Sequence, residues 1–102
     1  MNIGDLMKQA QQLQEKMAAV QNDLGEKQVV GSAGAGMVSA TLNGKGELLN
    51  LTIEKALMQP ENTQMVQDLI VAAVNDGLGK AKELGKSEMA RITGGLNIPG
   101  LL

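Results

Sequence analysis

The sequence contains no phenylalanine, tyrosine or tryptophan. Its core must therefore be assembled from Leu, Ile, Val, Met and Ala, which bury less apolar surface per residue than aromatic rings do. Recognition of single-stranded nucleic acid by base stacking on aromatic side chains is excluded for the same reason. Cysteine is absent, which removes disulfides, thiolate zinc sites and thiol nucleophiles. Histidine is absent too, and with it the commonest general base and the commonest metal ligand. Together these absences argue against an enzyme, and no cofactor, metal or small-molecule substrate is expected. No apolar run reaches transmembrane length, and the opening MNIGDLMKQAQQ has neither the basic nor the apolar region of a signal peptide. A soluble cytoplasmic protein without membrane association is expected. A strong charge bias is also missing. The 9 basic and 11 acidic residues give a formal net charge of −2, so composition alone does not announce nucleic-acid binding.

The chain is 102 residues long, enough for one small domain. Small domains bury a low fraction of their surface. With no aromatic residues to compensate, a second subunit is the expected remedy.

What is present is periodic. Ile3, Leu6, Ala10, Leu13, Met17, Val20 and Leu24 alternate steps of three and four, the spacing of a heptad seam. Lys, Gln and Glu fill the intervening positions. Asn2 is placed to cap this helix, Asp5 falls in its first turn, and Gly25 suits its end. The seam fits a short coiled coil and an amphipathic helix lying on a sheet about equally well. The next three segments have strand character. Residues 26–32, EKQVVGS, suit an edge strand, and in 37–43 Val38, Ala40 and Leu42 alternate with polar positions. Residues 44–47, GKGE, form a turn, after which Leu49, Leu51 and Ile53 share one face. The result is a three-stranded antiparallel meander with one apolar face.

Between the first two strands lies GSAGAG, residues 31–36. Glycine-rich loops can cradle phosphate, but they do so between a strand and a helix, whose N-terminus supplies donors and dipole. Here a strand follows and the Lys-Ser/Thr of a P-loop is missing, so GSAGAG reads as a hairpin connection. Close approach of another strand or subunit is a second use for its small residues. Beyond Pro60, Asn62 or Thr63 can cap a second helix, whose apolar stripe runs through Val66, Leu69, Ile70, Ala73, Val74, Leu78, Ala81 and Leu84. Gly77, Gly79 and Gly85 weaken that helix and mark close packing or a bend. TGGLNIPGLL ends the chain with two adjacent glycines and a proline. The expected fold is α+β in a single domain over 1–102. It comprises a helix at 1–25, three strands within 26–54, a long helix at 62–92 and a flexible tail at 93–102.

Titratable side chains are limited to Asp, Glu, Lys and one Arg. Asp68 and Asp76 lie eight apart on the second helix and in principle offer paired carboxylates. No metal-ligand spacing accompanies them, and a solvated face with intrahelical pairs such as Glu83 and Lys86 is the better reading. Basic residues are more suggestive. Lys80, Lys82, Lys86 and Arg91 gather toward the end of the second helix, and Lys8 and Lys16 lie eight apart on the first. In a dimer each patch appears twice and could straddle a duplex, with sequence-independent, salt-sensitive phosphate contacts.

Three stretches carry a resemblance to a known family: MNIGDLMKQAQQLQEKM, GAGMVSATLNGKGELLNLTI, and DLIVAAVNDGLGKAKE running into TGGLNIPGLL. Taken in order they cover nearly the whole chain and resemble the YbaB/EbfC family of bacterial nucleoid-associated proteins. The resemblance implies a homodimer of helix, three strands and helix, intertwined or joined through its sheets, with helices projecting like tweezer arms. It implies binding of double-stranded DNA with low sequence specificity in the cytoplasm, on the nucleoid, with roles in nucleoid organisation and gene regulation. It carries no catalytic residues. The candidates for DNA contact are Lys8, Lys16, Lys80, Lys82, Lys86 and Arg91. The alternative is a dimeric protein–protein interaction module, a helical adaptor acting in replication or recombination. The heptad seam and the seven methionines suit it, since Met adapts to varied partner surfaces.

Overall fold

In the computed structural model of the chain, which describes residues 2–93, helix α1 spans Ile3–Glu26 and is followed by strands β1 (Gln28–Ala33), β2 (Val38–Asn43) and β3 (Leu48–Ile53). Two single 3-10 turns, Lys55–Leu57 and Pro60–Asn62, lead into helix α2, Thr63–Thr93. Apart from Thr93, the expected tail lies outside the described residues. The sheet is antiparallel in the order β1-β2-β3, as the meander pattern requires.

Helix α1 begins as its sequence dictates: the Asn2 side chain accepts the Asp5 N–H at 2.8 Å. Its end differs from expectation. The helix continues through Gly25 to Glu26 because its last carbonyls find partners outside the helix. The Gly44 N–H donates to Leu24 O at 2.8 Å and to Lys27 O at 3.0 Å, so no left-handed glycine cap is needed. Strand β1 accordingly starts two residues later than the sequence suggested. At the start of α2, Asn62 and Thr63 do not reach forward to helix N–H groups. Asn62 Nδ2 donates back to Leu57 O at 3.2 Å and Thr63 Oγ1 to Pro60 O at 2.7 Å, fastening the 3-10 turns instead. Helix α2 then runs unbroken for 31 residues, about 46 Å at 1.5 Å per residue.

Helix α2 lies across one face of the sheet. Val38, Ala40 and Leu42 of β2 are fully buried and meet Ala73, with Val66, Leu69, Ile70, Val74 and Leu78 packed around them. Leu51 and Ile53 complete the apolar face of β3, but Leu49 does not join them and is 51% exposed. A bulge causes this. Thr41 pairs with Asn50 while Leu42 pairs with Leu48, which leaves Leu49 as an extra residue in the ladder.

Without aromatic residues, the core closes by bringing backbone to backbone. A Cβ added to Gly31 of β1 would collide with Ala73 O and Gly77 N and lie 2.7 Å from Gly77 Cα. One added to Gly77 would strike Leu42 Cδ1. The first glycine of GSAGAG is thus the seat of α2. Ser32 and Ala33 complete β1, and the hairpin turn follows, with Gly34, Ala35 and Gly36 all left-handed at φ 63°, 55° and 88°.

Helix α1 packs its C-terminal part beside α2 rather than on the sheet, and Leu24 alone of its seam is buried. Leu13, Met17 and Val20 are half-buried, whereas Ile3, Leu6 and Met7 are exposed. The N-terminal half therefore projects. The extents are 68 × 21 × 16 Å and the radius of gyration is 19.0 Å, against about 13 Å for a compact chain of this length.

Two glycines two residues apart test this packing. Gly77→Ala is expected to lower the thermal midpoint, because its methyl group overfills a closed core, at a cost of roughly 1–3 kcal/mol. Gly79 has open space around it, so Gly79→Ala is expected to raise stability by about 1 kcal/mol through helix propensity. Thermal unfolding followed by far-UV circular dichroism reads both. A Gly77→Ala protein as stable as wild type would contradict the seating of α2.

Candidate nucleic-acid interface

The six basic residues singled out from the sequence do not form one patch. At ~100° per residue, Lys82 and Lys86 share one side of α2, while Lys80 and Arg91 share the opposite side. That opposite side faces protein. Lys80 Nζ donates to Val30 O of β1 at 2.7 Å and pairs with Asp76 Oδ2 at 3.3 Å. Asp76 in turn accepts the Ser32 N–H at 3.0 Å. This helix pair thus satisfies the outward polar groups of an edge strand, which would otherwise invite another strand. The Asp76 carboxyl is held below its ordinary value, first by the Ser32 N–H and then by Lys80. Asp68, by contrast, accepts from Gln64 Nε2 at 3.0 Å on another side of the helix. The two aspartates do not converge, and no acidic cluster suited to a metal occurs among the described residues.

Arg91 belongs to a second structural pair. Glu88 is buried, with its carboxylate between Lys27 Nζ at 2.7 Å and Arg91 Nη1 at 3.0 Å. Lys27 also pairs with Asp23 at 3.2 Å. Lys27 sits at the junction of α1 and β1, so this four-charge clasp ties the base of the projecting helix to the last turns of α2. Nothing in the sequence singled out Lys27 or Glu88. They are 61 residues apart, and only the packing of α1 beside α2 brings them together.

The outward side of α2 is different. Lys86 has only a long exposed pair with Glu83 at 3.9 Å. Lys82 makes no ion pair among the described residues, and neither do Lys8 and Lys16 on α1. Lys8 and Lys16 are exposed along the projecting arm, turned ~80° from one another. Lys82 flanks a cleft of about 290 Å³ between the end of α1, the β2–β3 turn and α2, floored by Leu24, Leu78 and Ala81. Lys45 of the GKGE turn borders the same cleft. From sequence it had no role beyond the turn, although a lysine between two glycines at a hairpin tip is a legible sign of a presented side chain.

The YbaB/EbfC DNA-binding family model matches residues 1–96. The chain is 52% identical to nucleoid-associated protein DP1429 of Desulfotalea psychrophila, over 99% of this chain and 95% of that protein. It is 50% identical to nucleoid-associated protein NT01CX_0824 of Clostridium novyi, over 99% of this chain and 89% of that protein. In three dimensions it is similar to the uncharacterized protein HP0035 from Helicobacter pylori, with a TM-score of 0.82 and 25% identity over 91% of this chain and 98% of that one.

The clasp predicts a pH profile. Glu88 is held below the ordinary carboxylate range, first by the Lys27 hydrogen bond and further by the Arg91 charge, against the opposing effect of burial. Lys27 is raised, first by its hydrogen bond to Glu88 and then by Asp23. The carboxylate contributions of Glu88 and Asp76 are complete above the unfolded-state pKa and lost as pH falls through the lower native values. The lysine contribution is complete below the unfolded lysine pKa and lost as pH rises through the higher native value. Stability is therefore expected to be flat near neutrality and to fall on the acid side below about pH 4. Glu88→Gln is expected to lower the plateau and flatten the acid limb in urea titrations. An acid limb unchanged by that substitution would contradict the clasp.

Proposed function

The chain belongs to the YbaB/EbfC DNA-binding family, and on that footing we propose that it binds double-stranded DNA with low sequence specificity, as a homodimer, on the nucleoid in the cytoplasm. The observation that carries this reading is the division of its cations. Lys27, Lys80 and Arg91 are engaged within the fold, whereas Lys8, Lys16 and Lys82 stand exposed with no ion pair among the described residues. Lys86 exchanges a weak surface pair for a phosphate at little cost. Lysine reaching phosphate acts as a point charge and carries no base information, so affinity comes from counterion release and specificity stays low. Such binding suits nucleoid organisation, and gene regulation where bound protein overlaps a promoter.

Two features support the dimer. The edge of β1 is stapled by Asp76 and Lys80, while β3 offers its outer edge with Leu48 and Leu49 about half exposed beside it. The α1 seam leaves Ile3 and Leu6 in solvent. Pairing two copies would also present each exposed lysine twice along one duplex.

Fluorescence anisotropy of a labelled random duplex, titrated at several salt concentrations, tests the reading. Affinity is expected to rise steeply as salt falls, with little change between duplexes of different sequence. The Lys8→Ala/Lys16→Ala/Lys82→Ala variant is expected to lose roughly 0.9 from the log–log slope for each phosphate contact removed. Binding that ignores salt would contradict phosphate contact. Sedimentation equilibrium at micromolar concentration is expected to return twice the chain mass of 10.7 kDa; a stable monomer would defeat the dimer.

A further inference from the structure

The β2–β3 turn presents its lysine on an unusually well-fastened frame. Asn43 is buried, and its Oδ1 accepts the N–H groups of Lys45 and Glu47, each at 3.0 Å. Asn43 Nδ2 donates to Glu47 Oε1 at 2.8 Å, which gives the turn's acid a partner other than Lys45. The Gly46 N–H is bonded to Asn43 O and the Gly44 N–H to Leu24 O. The turn's backbone donors are therefore occupied, and a ligand at this place is met by side chains alone. The Lys45 stem lies over Gly25 of α1, where an added Cβ would come within 3.2 Å of its Cδ. A side chain at position 25 would press on the lysine stem there. The ammonium has no ion partner among the described residues.

We propose that Lys45 and Lys82, which both line the cleft between the end of α1, the β2–β3 turn and α2, form a seat for one stretch of DNA backbone, with the hydrogen-bonded turn setting the backbone position of Lys45 before DNA arrives. The proposal rests on the DNA-binding reading and extends it to a residue outside the two helices. The cleft has a volume of about 290 Å³, room for a phosphodiester group with some of its hydration. Its floor is apolar and its rim carries two free positive charges and the amide of Gln21. Charges that already lack internal partners give up no ion pair on meeting phosphate.

The test uses the full chain and the same random duplex. Lys45→Gln and Lys82→Gln are each expected to weaken binding uniformly across sequences and to reduce the log–log salt slope by about 1; the double variant should lose about twice that. Lys45→Arg should retain most of the slope. Lys55→Gln removes the same charge from the far end of the molecule, beyond the start of α2, and is expected to leave the slope unchanged. If wild type binds steeply and Lys45→Gln behaves like Lys55→Gln, the seat is wrong while DNA binding stands. If Lys82→Gln alone reduces the slope, the contact belongs to α2 and the seat is likewise wrong. If wild type shows no salt-dependent binding but poly-glutamate binds and is lost in Lys45→Gln, the cleft serves an acidic polypeptide, and both the DNA reading and the seat fall. Retained thermal midpoints for all variants keep these outcomes separable from misfolding.

Discussion

Everything in this molecule depends on how closely α2 approaches the sheet. A chain without aromatic residues cannot fill a wide gap between layers, so the gap is narrowed until Gly31 and Gly77 meet backbone to backbone. That contact lets small side chains such as Ala40 and Ala73 be fully buried and gives Leu42 and Val38 a closed environment. It also fixes the rotation of α2 about its axis, because Gly77 is the residue seated against Gly31 and Leu42 while Gly79 is left in open space.

The rotation sorts the charges. With Gly77 against β1, Asp76 and Lys80 fall beside the edge of that strand and satisfy Ser32 and Val30. Further along, Glu88 is turned toward Lys27 and locks the base of α1. Lys82 and Lys86 are turned away. A protein whose acids outnumber its bases thereby engages Asp23, Asp76 and Glu88 in pairs that hold the fold. Lys8, Lys16 and Lys82, left outside, make no ion pair among the described residues. Net charge is a weak guide to such a molecule, since it averages over the two populations that the helix rotation separates.

The order of elements was legible because each has a strong local pattern. The α1 seam, the alternation of Val38, Ala40 and Leu42, and the α2 stripe all gave the right class of element. Errors arose where a distant group replaced a local one. The sequence placed the end of α1 at Gly25, but Gly44 supplies the missing donor and the helix runs on. It placed Leu49 with Leu51 and Ile53, but the bulge opposite Leu42 displaces it. It read GSAGAG as a connection, which is true of its second half, while Gly31 serves a close approach of helix α2, not of another strand or subunit. The basic residues were visible as a composition of the helix end, yet their division between strand edge, clasp and solvent depends on non-local contacts, and so did the prominence of Lys27 and Lys45.

The central claim is that the fold divides its lysines into a structural set and a set available to DNA. Amine-reactive footprinting, reading acetylation at each lysine with and without duplex, tests it most directly. Lys27 and Lys80 are expected to react slowly in both states. Lys8, Lys16 and Lys82 should react fast when free and be protected by DNA, and Lys55 should react fast in both. Fast reaction at Lys27 and Lys80, or DNA protection at Lys55 without protection at Lys82, would contradict it.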